Sequence, residues 1–373
     1  MPQSFEKLAA PGVQRLQPYL PGKPVEELER ELGITDSIKL ASNENPLGPS
    51  AAALQAIEQC YRDIHYYPDG SAFKLAERLG ARFKLNPACL TFGNGSNDVL
   101  ELVARAFLTP DHSAVYSQYA FAVYPIVVQA IGARAKIAPA YSETDANMPL
   151  GHDPEALLGC IDATTRVVFV ANPNNPTGTW MDTATIKAML ERIPSNVIVV
   201  LDLAYYEYLD DELKPDINAL LASHENLIIT GTFSKVYALA GLRIGYGLSH
   251  PAVADLLNRV RQPFNTNLIA QAAALAALDD EAHIQSSVQM NKAGKNELQN
   301  ALVQMGLSCL PTMGNFITVN FQQDAKPLYQ GLLREGVIVR PLANYQMPTY
   351  LRITIGTAEQ NERLLGALNE VLS

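Results

Sequence analysis

Lys235 follows Ser234 in the run LIITGTFSK, where an apolar, β-rich segment gives way to small residues and then to Arg243. A lysine behind a buried strand, among Ser, Thr, Ala and Gly, loses hydration, and desolvation favours the neutral amine, which is a usable nucleophile. Two other apolar runs end on polar groups in the same way: RVVFVA leads into NPNNPTG at 172–178, and VIVVL into Asp202, Ala204 and Tyr205. Ligands of an open parallel sheet bind beyond the carboxyl ends of its strands, so these ends are where an amide, a carboxylate and an amine would meet. A fourth segment, GNGSNDVLELVARAF at 93–107, carries glycines into Ser96, an N-cap residue type, ahead of an amphipathic helical spacing. Such a helix N-terminus takes a phosphate on its free N–H groups, although P-loop spacing is absent. Asp98, in its first turn, must then point away from the anion. Each feature also has a plainer reading: a turn for NPNNPTG, a helix cap for Asp202 or Ser96, a solvated surface amine for Lys235.

The elements that must position these residues follow from hydrophobic periodicity. β-rich runs alternate with helical patterns (RVVFVANP, TATIKAMLERI, NVIVVLDLAYY, LIITGTF), which predicts βαβ units and a mainly parallel sheet flanked by helices. Runs such as VIVVL are apolar at nearly every position, as in strands covered on both faces. After about residue 262 the texture changes to helix, then to the short strands FITVNF, GVIVRPL and LRITIG, which predicts a smaller α+β domain. The expected division is an N-terminal arm over 1–45, a large domain over 46–262 and a small one over 263–373.

Composition bounds the partners. With 373 residues, 48% hydrophobic and 18% charged, the chain is long enough for one large domain or two coupled ones. A formal net charge of -10 argues against nucleic-acid and anionic-membrane surfaces, so an anionic ligand must meet local cations. The four cysteines are widely spaced, which signals neither a zinc site nor a disulfide framework, and no metal is expected. No apolar run reaches the roughly 18 residues a spanning helix needs, and the N-terminal stretch has no continuous apolar core of a signal peptide. A soluble cytoplasmic protein is the expectation.

NPNNPTG, Asp202 with Ala204 and Tyr205, and T-F-S-K-x-x-x-L-A-G-L-R-I-G together resemble the fold-type I pyridoxal phosphate (PLP) aminotransferases, nearly end to end. LASNENPLGPS at 40–50, YYPDGSAFKLAERL at 66–79, FGNGSNDVLE at 92–101, YSQYAFAVYP at 116–125 and LRITIGT at 351–357 are similar to the histidinol-phosphate aminotransferase family within them. That resemblance implies a large PLP-binding domain and a small C-terminal one. It also implies a homodimer with shared active sites, and small-molecule substrates: an amino donor, L-histidinol phosphate, and a 2-oxo acid, 2-oxoglutarate.

By the same resemblance, Lys235 forms the Schiff base with PLP and moves the substrate proton, Asp202 faces the pyridine nitrogen, and Asn175 and Tyr205 hold the phenolic oxygen. Gly95, Ser96, Asn97, Thr232, Ser234 and Arg243 match positions that bind the cofactor phosphate, with Tyr67 reaching it from a second subunit. Gly241 is expected to let the backbone pass close to that phosphate. Phe121 matches the aromatic that stacks on the ring. Arg352 matches the arginine that grips a substrate carboxylate and Arg340 one that binds the substrate phosphate, while Tyr19 and Asn45 close the site over the substrate. The chain departs from the family pattern at Leu203 and Phe233, neither of which binds the cofactor by side chain, and at Tyr119, a change that leaves the substrate preference more open. The same motifs also suit an aromatic amino-acid aminotransferase with the 116–124 aromatics as its pocket, a PLP-dependent amino-acid decarboxylase, or a non-catalytic effector-binding module.

Overall fold

The computed structural model describes residues 5–19 and 21–373; Met1–Ser4 and Leu20, which belong to the expected N-terminal arm, lie outside the described residues. In chain order the strands are β1 (Ile38–Lys39), β2 (Leu90–Gly93), β3 (Ser113–Ser117), β4 (Arg134–Ala138), β5 (Thr165–Ala171), β6 (Ile198–Asp202), β7 (Leu227–Thr232) and β8 (Gly245–Ser249). They continue with β9 (Ser308–Cys309), β10 (Phe316–Asn320), β11 (Val337–Ile338), β12 (Arg340–Pro341) and β13 (Tyr350–Thr354). A seven-stranded sheet runs in the order β2-β8-β7-β6-β5-β3-β4. Its ladders from β7 to β4 are parallel, and β8 is the reversed strand, antiparallel to both β2 and β7. The mainly parallel expectation is therefore met. Every residue of β7 is buried, as are almost all of β5 and β6, which explains why these runs carry no polar alternation.

The second sheet is antiparallel, in the order β12-β13-β10-β9. Its core joins Ile317, Val319, Leu351 and Ile353 to Leu298 and Leu302 from the helix Glu281–Gln304, and to Leu332, Leu364 and Leu368. Two packing details differ from the expected division. The helix Leu268–Asp279, placed by texture with the C-terminal part, buries Ala270, Ala273, Ala274, Ala277 and Leu278 in the core of the large sheet. Small side chains on that face allow close approach to the helix Ala51–Cys60, a packing preference that a composition change near 262 does not carry. The segment before residue 46, in turn, is no free arm: β1 pairs in parallel with β11, and Leu40 enters the small-sheet core.

Leu40 is 2% exposed, and its N–H and C=O bond to Ile338 and Thr354. Truncating it leaves a cavity that this short segment cannot collapse into. Leu40→Ala should cost about 2–5 kcal/mol in urea unfolding; a loss below about 1 kcal/mol would show that the segment is not anchored there.

Candidate active site

The carboxyl ends of three neighbouring strands converge as their sequence order implies. Ala171 of β5 pairs with Asp202 of β6, which pairs with Thr230 of β7. Asp202 is buried, and hydroxyls occupy both its oxygens: Thr230 donates to Oδ1 at 2.9 Å and Tyr124 to Oδ2 at 3.1 Å. Burial pushes its pKa up, while the two hydroxyls and the nearby Lys235 charge work in the opposite direction. Tyr124 stacks on Phe169 at 4.9 Å and meets Phe121 edge-on at 5.9 Å. The ring of Phe121 at the cavity wall is thereby fixed by the residue that holds Asp202.

Lys235 lies just past β7, in a turn where the Ala238 N–H returns to its carbonyl at 2.9 Å. Its amine donates to the carbonyl of Ser42 at 3.2 Å and lies 5.7 Å from the centre of the Tyr205 ring. Burial, helped by the charges of Arg352 and Arg243 and opposed by Glu44 and Asp202, brings its pKa down to about 7. At neutral pH much of this lysine is therefore the free amine. Tyr205, 3% exposed, accepts a hydrogen bond from Asn43 Nδ2 at 2.8 Å, and burial raises its pKa to about 12.

A second corner is built from backbone. The helix Ser96–Phe107 starts one residue earlier than a Ser96 cap implies: Gly95 is the N-cap, at φ +85°, and Ser96 is the first helical residue. A Cβ on Gly95 would collide with the Arg243 guanidinium, and one on Gly245 with the Ser96 backbone nitrogen. These two glycines bring the helix N-terminus against β8 and Arg243. Gly241, by contrast, faces open space, so no neighbouring protein atom demands its lack of a side chain. Arg243 is left-handed at φ +56° and reaches the carbonyl of Ala240 at 3.1 Å and Ser234 Oγ at 3.4 Å. Such backbone costs on the order of 1–2 kcal/mol and persists where surroundings over-determine it. Asp98 turns to the Asn94 N–H and to Asn265, both at 2.8 Å, away from this corner.

The third corner is cationic. Arg340 of β12 and Arg352 of β13 are register partners, 8% and 7% exposed. Like charges directly opposite each other on a sheet destabilise it. Among the described residues neither guanidinium forms an ion pair with a carboxylate. Arg352 binds Asn175 Oδ1 and the Ala41 carbonyl, lies 5.4 Å over Phe316, and leaves its Nε without a partner. Arg340 lies 5.5 Å over the ring of Tyr19, which is 51% exposed.

The three corners enclose one cavity of about 290 Å³. Of the residues expected at the site, Ser96, Asn97, Phe121, Asn175, Asp202, Tyr205, Thr232, Ser234, Lys235 and Arg243 line it, together with Tyr19, Arg340 and Arg352. Three expected residues are not in its wall. Gly95 lies behind Arg243. Asn45 is buried, with its amide bonded to the Val236 carbonyl and Ser287 Oγ, both at 2.8 Å; it ties the Lys235 turn to the helix Glu281–Gln304 instead of facing a substrate. Tyr67 is 81% exposed and stacks on Phe264 at 4.7 Å. Tyr124, Thr230, Ser42 and Asn43 are contributors that the sequence reading passes over. Thr230 is a polar residue inside an apolar strand, and Asn43 sits in the same SNENP run as Asn45. Either was a usable signal.

The family model for aminotransferase class I and II matches residues 35–368. Histidinol-phosphate aminotransferase 2 of Pseudomonas aeruginosa is 54% identical over 371 residues, covering 99% of each chain. The protein of the same name from Pseudomonas fluorescens is 53% identical and covers 100% of both. The crystal structure of histidinol-phosphate aminotransferase from Sinorhizobium meliloti in complex with pyridoxal-5'-phosphate superposes with a TM-score of 0.88 at 28% identity, covering 97% of this chain and 96% of that one. With a buried lysine of lowered pKa, a buried carboxylate and a paired-arginine corner around one cavity, and with this match over almost its whole length, the chain belongs to the class I and II aminotransferases.

Proposed function

We propose that the chain transfers an amino group between L-histidinol phosphate and 2-oxoglutarate, in histidine biosynthesis, with pyridoxal 5'-phosphate as cofactor. The observation that carries the substrate is the buried pair Arg340 and Arg352. Two buried guanidiniums on register partners, with no carboxylate partner among the described residues, form a site for an anion, and the planar forks suit phosphate and carboxylate alike. Both line one corner, so Arg352 would hold a substrate carboxylate and Arg340, beside it, the phosphate of histidinol phosphate.

The donor set fits the cofactor. The Gly95 cradle, which a Cβ would fill, joins Arg243, Ser234, Thr232 and the N-terminus of the helix Ser96–Phe107 into a phosphate site. In the cavity they line, Phe121 would cover the ring, Asp202 would face its nitrogen, and Asn175 and Tyr205 would hold the phenolic oxygen. When bound, this cofactor supplies an electron sink for the carbon–hydrogen bond beside the substrate amine. The free amine of Lys235 takes the proton from that carbon and returns it, a task its lowered pKa suits. A second copy of the chain completes the site through Tyr67. Its support is the exposed aromatic pair Tyr67 and Phe264, with the exposed apolar groups Ile64, Tyr66 and Phe73 near Tyr67 in the chain, exposure of the kind that marks protein interfaces. The four cysteines are free, which suits the reducing cytoplasm where we place the enzyme.

Three outcomes are expected. Covalent uptake of pyridoxal 5'-phosphate by the apoprotein, trapped with borohydride at Lys235, should fall as acid protonates the amine. It should rise through a midpoint near pH 7 and then level off; a rise continuing toward the ordinary lysine range, about pH 10.5, would show an exposed amine. Arg340→Ala should lower kcat/KM for histidinol phosphate by about 100-fold, and for phenylalanine far less, as loss of a charge-assisted pair predicts. Equal losses would remove the phosphate assignment, and carbon dioxide released from phenylalanine without glutamate would make the enzyme a decarboxylase. Mixing inactive Lys235→Ala with weakly cofactor-binding Tyr67→Ala should restore turnover through hybrid dimers; no recovery after subunit exchange would place Tyr67 outside the site.

A further inference from the structure

We infer that Asn43, clamped by Thr354, is a positioning residue that aims the hydroxyl proton of Tyr205 into the cavity. The inference rests on the reading of Tyr205 as a holder of the cofactor's phenolic oxygen. Asn43 has a fixed amide orientation: its backbone N–H donates to Thr354 Oγ1 at 2.9 Å, and that hydroxyl donates back to Asn43 Oδ1 at 3.4 Å. With the amide oxygen engaged, Nδ2 faces Tyr205 and donates to its hydroxyl oxygen at 2.8 Å. A phenol has one proton to give, and a donor already on its oxygen directs that proton elsewhere. Among the described residues the Tyr205 hydroxyl accepts from Asn43 and donates to none, so the group is buried with its proton uncommitted at the wall of the cavity it lines.

The clamp is held from several sides. Asn315 Nδ2 donates to the Asn43 carbonyl at 2.9 Å, and Asn43 is left-handed at φ +55°, a conformation Asn and Asp tolerate better than most residues. Thr354 lies two residues after Arg352 on β13, and Arg352 itself donates to the Ala41 carbonyl at 2.7 Å. The strand that presents the anion-binding arginine therefore also sets, through Asn43, the direction of a donor beside Lys235.

The test is a double-mutant cycle on the Kd of the apoprotein for pyridoxal 5'-phosphate, with apoprotein melting measured alongside. Asn43→Asp keeps the shape and the left-handed backbone but accepts from Tyr205, turning the proton away; Asn43→Ala only removes the donor. Asn43→Asp should weaken binding about tenfold and Asn43→Ala somewhat less, in line with one hydrogen bond. In a Tyr205→Phe background Asn43→Ala should have no further effect, because the hydroxyl it aims is gone. If Asn43→Asp binds as tightly as the native protein, or Asn43→Ala costs the same factor with and without the hydroxyl, the inference is overturned. If Tyr205→Phe itself leaves the Kd unchanged, the reading of Tyr205 fails instead. An effect that tracks melting temperature alone, and persists in the Phe background, assigns Asn43 a purely structural role and also overturns it.

Discussion

Enclosing the Lys235 amine at the end of β7 removes part of its hydration, and the surrounding groups decide which protonation state tolerates that best. Burial and the charges of Arg352 and Arg243 disfavour a third cation there, while Glu44 and Asp202 work the other way, and the balance lies with the first group. The neutral amine is the form that fits. Among the described residues Arg340 and Arg352 form no ion pair with a carboxylate, so a protein of net charge -10 concentrates positive potential at one place.

Keeping several cations and one carboxylate in fixed relation requires that the two sheets not shift freely. Residues 40–45 supply that constraint by touching, in succession, Ile338 and Thr354 of the small sheet, Arg352, Lys235, Tyr205, and the Val236 carbonyl. Short side chains and backbone groups do this work because they present donors and acceptors at fixed distances. A long, flexible side chain would lose more rotamer freedom for the same contacts.

Much of this was legible in the chain. The carboxyl ends of β5, β6 and β7 declared themselves because buried parallel strands are apolar throughout, so the first polar residue stands out. The pairing of Arg340 with Arg352 was not legible, since register between strands joined by a turn depends on hydrogen bonding that residue type does not encode. Nor was Tyr124, one aromatic among several, whose contact with Asp202 depends on how the helix Val123–Ile131 docks on the sheet. The helix Leu268–Asp279 was misplaced because alanine-rich sequence suits either core, and only packing chose.

The reversal of β8 and the pairing of β1 with β11 have a temporal side. Strand β2 emerges from synthesis with its partner β8 still well over a hundred residues away, and Asn43 must wait for Thr354, 311 positions later. The N-terminus of the helix Ser96–Phe107, and the segment that touches the lysine, therefore remain without their partners until late in synthesis. Contacts of such separation close slowly and expose apolar surface meanwhile. Residues 38–45 are thus made well before the partners that fix their place, and a chain cut short before β13 would hold its lysine without the clamp that organises the site around it.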